Sequence, residues 1–302
     1  MNSLNFIHNF LPINNQKMKS LSTINLILFL AFFSCQNQAV KEEKVTEVKD
    51  TAVAAPIEKP ASVRPVHWSY SEEGGPAGWS GLSPVYAACG NGKTQSPINL
   101  LTNSEKGKTE WKMEYKTTSL NIAHNEHVEE LINNGHTIQI TPQEGSFINY
   151  NNKIYHLKQF HFHTPSEHTL NGKNFPMEIH FVHQSDDNSL AVIGVLIKEG
   201  KHNKNFDQLI KHLPNKVGEK MTHDSVNIDI SLHVPKELLA YHYIGSLTTP
   251  PCTENVQWLV LQKHGEMSKE QINAFASRLN KNNRPVQQLY DRKLTIDDIS
   301  AK

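Results

Sequence analysis

Between residues 159 and 163 the chain reads Gln159-Phe160-His161-Phe162-His163, with polar and aromatic side chains in strict alternation. A period of two belongs to the β-strand, whose successive side chains point to opposite faces. Folded as a strand, this segment sets both imidazoles on one face and both phenylalanines on the other. The phenylalanine face needs a cover of apolar side chains, while the histidine face is a two-ligand platform for a metal.

Strand-like runs recur on either side of it, at Leu120 to Ile122, His136 to Ile140, Glu178 to His183 and Leu190 to Ile197, with turn residues between them. Helical patterning is scarce. Asn205 to Leu213 and Lys269 to Leu279 are the two predicted helices, the second with Ser268 as N-cap and Gln271 as its capping-box partner. The fold class expected is mainly β (α+β), as one domain over residues 66–302. No repeat of fixed period and no glycine-rich phosphate loop is present, which argues against nucleotide chemistry.

A third metal ligand has to come from elsewhere, and Met177-Glu178-Ile179-His180-Phe181-Val182-His183 offers His180 and His183. They fall on opposite faces of a strand, so only one can join, and spacing alone does not choose. Three imidazoles with one open position is the pattern of a catalytic zinc site, whereas structural zinc sites are closed by four protein ligands, often cysteines. With 3 cysteines the chain has too few for the latter. It has 17 histidines, an unusual supply of a residue suited to protons and metals, and 30 basic residues against 30 acidic ones. That balance gives no reason to expect nucleic acid as a partner, and the substrate expected is small.

At the N-terminus, Lys17 and Lys19 precede an apolar run from Leu26 to Phe33 that closes on Ser34-Cys35. This is the pattern of a secretory signal, too short to span a membrane comfortably. It resembles a bacterial lipoprotein signal over residues 1–35, with Cys35 as the lipidated residue, Phe32 as a departure from the usual leucine, and Met1 or Met18 as the start. Residues 36–65, rich in Lys, Glu, Val, Ala and Pro, read as a solvated tether. The expectation is an exported protein of the periplasm or cell envelope, held to a membrane only by its lipid.

The run His161-Phe162-His163-Thr164-Pro165-Ser166-Glu167-His168, followed by Glu178-Ile179-His180-Phe181-Val182-His183, resembles the signature of the α-class carbonic anhydrases. Similarity continues through Trp68-Ser69-Tyr70, Gln95-Ser96-Pro97-Ile98, Asn133-Asn134-Gly135-His136, Gly245-Ser246-Leu247-Thr248-Thr249-Pro250-Pro251-Cys252, Trp258 and Asn283-Arg284-Pro285, from Val66 to about Leu294. The resemblance implies a large, mostly antiparallel, twisted central sheet with short peripheral helices. It also implies one Zn2+ per chain on His161, His163 and His180, with Gln159 and Glu178 taking the other ring protons of the ligands. His168 and His183 are expected to stabilise the fold instead.

The activity implied is reversible hydration of carbon dioxide to bicarbonate and a proton by zinc-bound hydroxide. In that scheme Thr248 donates to Glu167 and orients the nucleophile, Thr249 contacts bicarbonate, and Val182, Val192, Leu247, Val256 and Trp258 form the apolar wall for carbon dioxide. His136 is the implied proton shuttle. The resemblance further implies a Cys89–Cys252 disulfide, in keeping with an exported chain. Two other readings share these motifs: a carbonic anhydrase-like binding module that has lost catalysis, and a zinc hydrolase of esters, for which no acyl pocket is legible. The oligomeric state is not legible either.

Overall fold

In the computed structural model, which describes residues 66–71, 74–125 and 136–299, the segment that opened the sequence analysis is a strand. The signal segment with Cys35, the tether and Asn133 to Gly135 lie outside the described residues. The strands are β1 (Asn99–Leu100), β2 (Glu105–Glu114), β3 (Thr117–Asn125), β4 (Thr137–Ile140), β5 (Phe147–Tyr150), β6 (Lys153–His163), β7 (Thr169–Leu170), β8 (Lys173–Asn174), β9 (Met177–Gln184), β10 (Leu190–Glu199), β11 (Lys220–Asp229), β12 (Leu239–Ser246), β13 (Glu254–Leu261), β14 (Gly265–Met267) and β15 (Thr295–Asp298). Among the described residues four short α-helices accompany them: α1 (Trp79–Leu82), α2 (Ala88–Asn91), α3 (Asp207–Lys211) and α4 (Lys269–Leu279).

Twelve strands form one sheet in the order β11-β3-β4-β6-β5-β2-β15-β12-β13-β10-β14, with β9 paired to both β6 and β10. Most pairings are antiparallel, and β10–β13, β10–β14 and β15–β2 are the parallel ones. The alternation in β6 does what its period demands. Phe160 and Phe162 enter the main core with Ile179 and Phe181 of β9 and Ile193 and Val195 of β10, all fully buried. Each such side chain contributes about 1.5–3 kcal/mol by leaving water. Val182 and Val192, one residue out of phase, join a second cluster on the opposite face with Val256 and Trp258.

Register places the histidines. β6 and β9 run antiparallel with His161 opposite His180 and His163 opposite Glu178, so these four side chains share a face. Gly194 of β10 lies opposite His180, and a Cβ there would stand 3.1 Å from Glu178 Oε1. A glycine at this point lets the Glu178 carboxylate lie against the backbone.

α4 spans Lys269–Leu279, the range its capping pattern predicts. The Gln271 amide donates to Ser268 Oγ, the Ser268 amide donates to Gln271 Oε1, and Asn280 closes the helix in the left-handed conformation. Phe275 of α4 packs on Phe162 with ring centroids 4.4 Å apart. The helix expected over Asn205 to Leu213 is shorter: a 3-10 turn at Lys204–Phe206 followed by α3. Pro214 lies three residues past Lys211 and disfavours the helical region at Leu213, so the helix does not run on to Leu213.

Candidate metal centre

His161 and His163 project from the last three residues of β6, and His180 from the middle of β9. One ligating nitrogen from each lies within 4.8 Å of the others, and all three rings are buried. The opposite ring nitrogen of each is engaged by an oxygen. His161 Nδ1 donates to Gln159 Oε1 at 2.7 Å, His163 Nδ1 donates to the Asn282 carbonyl at 2.6 Å, and His180 Nε2 donates to Glu178 Oε1 at 2.9 Å. These bonds orient the rings and leave the other nitrogen of each as the lone-pair atom. Burial holds the pKa of His163 down to about 4 and lowers that of His180 as well, so both are neutral at pH 7. Convergent neutral imidazoles without a cysteine are a donor set that fits Zn2+ with a position left open.

Glu167 is fully buried beside them, its Oε2 3.6 Å from His163 Nε2 and 3.9 Å from His180 Nδ1. Burial pushes its pKa up to about 7, against the opposing pull of His180, the Arg284 amide, which donates to Oε1 at 2.8 Å, and the Thr248 hydroxyl. A cation among the three imidazoles would return this carboxyl to its ionised form, which is electrostatic support for the same fit.

The cavity over the cluster is lined by His161, His180, Val182, Val192, Leu247, Thr248, Thr249, Pro250, Pro251 and Trp258. Val256, expected on this wall, is buried in the same apolar cluster as Val182, Val192 and Trp258. His136 is not on the wall either. Its ring lies against Trp68 at a centroid distance of 3.5 Å, and burial lowers its pKa to about 3.

His168 and His183 have protein partners on both nitrogens. His168 Nδ1 donates to Glu178 Oε1 at 2.7 Å and its Nε2 accepts from the Tyr243 hydroxyl at 2.7 Å. His183 Nδ1 donates to the Ala191 carbonyl and its Nε2 accepts from the Tyr115 hydroxyl. His168, Glu178 and His180 also cluster tightly, but there the carboxylate takes the protons of both rings, which is hydrogen bonding without an ion. Cys89 and Cys252 form a disulfide, placed in a small apolar cluster with Trp68, Trp79 and Tyr86.

Residues 74–297 match the family model of the eukaryotic-type carbonic anhydrases. The chain belongs to that family, the α-class carbonic anhydrases. A carbonic anhydrase from Pectobacterium atrosepticum is 38% identical over 230 residues, covering 75% of this chain and 89% of the relative, and one from Neisseria gonorrhoeae is 39% identical over 229 residues, covering 75% and 86%. The α-carbonic anhydrase of Thermovibrio ammonificans, solved with the inhibitor sulfanilamide, superposes with a TM-score of 0.71 at 38% identity, covering 76% of this chain and 99% of that one.

One contributor to this carbonic anhydrase site, Asn282, lies outside the sequence motifs. Asn282 offers its carbonyl to His163, its Oδ1 to the Thr164 amide, and its Nδ2 to the carbonyls of His136 and Phe162. It immediately precedes the Asn283-Arg284-Pro285 motif, whose proximity was the one available signal. Arg284, also buried, donates to Gln95 Oε1 and to the carbonyls of Ser96 and Cys89, tying the disulfide segment to the residue that holds Glu167.

Proposed function

We propose that the protein catalyses the reversible hydration of carbon dioxide to bicarbonate and a proton, with one Zn2+ held by His161, His163 and His180. The observation that carries this reading is the convergence of three buried, oriented imidazoles at an apolar-walled cavity that also presents Thr248. A zinc ion so held supplies a Lewis-acid centre that makes water a nucleophile near neutral pH. Gln159, Glu178 and the Asn282 carbonyl keep the ligand tautomers fixed. Thr248, by donating its hydroxyl hydrogen bond to Glu167, turns only lone pairs toward the cavity and so accepts a hydrogen bond from the attacking oxygen, aiming it. Val182, Val192, Leu247 and Trp258 give carbon dioxide an apolar wall, and Thr249, on the same cavity, meets the product anion.

His136 carries the released proton outward in this reading. In the pose against Trp68 burial holds it neutral, so it can serve only when its ring swings into water, where imidazole titrates near pH 6.5. The signal-like N-terminus, the Cys35 context and the disulfide support an exported, lipid-anchored protein.

Stopped-flow carbon dioxide hydration with zinc-loaded, chelated and His161→Ala protein tests the proposal. Fast turnover is expected only in the first sample. Equal rates in all three would overturn the zinc site, and no turnover with one zinc bound would point to a binding module.

A further inference from the structure

A second pair of histidines stands close together far from this site in sequence. His212, directly after α3, and His223 of β11 have ring centroids 4.3 Å apart with the planes inclined by 52°. In the candidate metal centre, His163 and His180 stand 4.5 Å apart at 48°. The two pairs thus share nearly the same ring spacing and tilt.

The tautomer of His212 is set. Its Nδ1 donates to the Gln208 carbonyl at 2.8 Å, which leaves Nε2 as the lone-pair nitrogen, the backbone-carbonyl arrangement common among metal-ligating histidines. Nε2 of His223 is shielded from solvent and has no hydrogen-bond partner. A buried ring nitrogen without a partner is costly, and a ligand bond would remove that cost. Both residues are partly exposed overall, so an ion can enter and water can complete its coordination. Neither residue has a part in the catalytic site.

We propose that His212 and His223 form a second metal site for a divalent ion that favours imidazole, such as Zn2+, Ni2+ or Cu2+. It is weaker than the first, because it supplies two protein ligands instead of three. An ion there joins the end of α3 to β11.

The test is equilibrium dialysis of the full, zinc-loaded chain against rising Zn2+, with bound metal counted. The parent chain is expected to take up a second equivalent. His212→Gln and His223→Gln each weaken it by about tenfold or more, the double variant abolishes it, and His202→Gln, at a surface imidazole paired with Asp207, leaves it unchanged. A chain that saturates at one zinc, or a double variant that keeps the second, overturns the proposal. His161→Ala separates the two sites: it removes the tight equivalent and leaves the weaker one. Ni2+ added to the zinc-loaded parent chain, which needs no substitution, should broaden the imidazole resonances of His212 and His223 before any others; broadening that begins elsewhere sinks the assignment.

Discussion

Glu178 accepts four hydrogen bonds on two oxygens. Its Oε2 takes the amides of Glu167 and His168, both at 2.9 Å, and its Oε1 takes the rings of His168 and His180. Burial works to raise its pKa, but His168 and His180 outweigh it and hold the carboxyl well below the usual range. Glu178→Gln puts an N–H donor where one of those oxygens accepts, so at least one buried N–H loses its acceptor. Zinc affinity is expected to fall by about 10–100-fold, measurable by competition with a chelator. His183 makes a separate prediction about acid. Burial drops its pKa to about 3, whereas an unfolded histidine titrates near 6.5. The unfolded chain therefore binds the extra proton between those values. Stability is whole above pH 6.5 and declines toward pH 3, by about 1.4 kcal/mol per unit for this group. Urea unfolding at several pH values should show a slope shallower by one proton in His183→Gln, and parallel slopes would refute the assignment.

At the scale of elements, β6 works as two half-strands fused: one side belongs to the core and the other to chemistry. Truncating the core side tests how far the two are coupled. Phe162→Ala, which empties the contact with Phe275, should cost about 3–5 kcal/mol in urea unfolding; a loss under about 1 kcal/mol would mean the site closes over the gap. β6, β9 and β10 were legible because each buries at least one face, and burial imposes a pattern. α4 was legible because a capping box is local chemistry. β2 and β11 were not: Glu105–Glu114 and Lys220–Asp229 carry charged and polar residues at the positions alternation would reserve for apolar ones, and β11 is largely exposed at the edge of the sheet. Their strand geometry comes from neighbours that supply hydrogen bonds, and no local pattern records that.

Across the whole molecule, the choice between His180 and His183 shows what local reading leaves open. Both lie on one strand, and only the register against β6, with His161 opposite His180, decides which ring reaches the cluster. Asn282 illustrates the same point, meeting His163 across 119 residues from a position just outside the Asn283-Arg284-Pro285 motif. The disulfide is a covalent tie of this kind, joining positions 163 residues apart. In the chain-entropy description so long a loop contributes up to about 4–5 kcal/mol. Reduction should lower the denaturant midpoint accordingly, and alkylation of the unfolded, unreduced protein should label neither Cys89 nor Cys252; a midpoint indifferent to reductant would remove the disulfide from the stability account.

The same bond encloses β6 and β9, and with them the three site histidines, in one covalent ring. A single protease cut anywhere inside that ring opens the chain without dividing it, so the nicked protein would keep its two pieces together, one water heavier, until a reductant let them part.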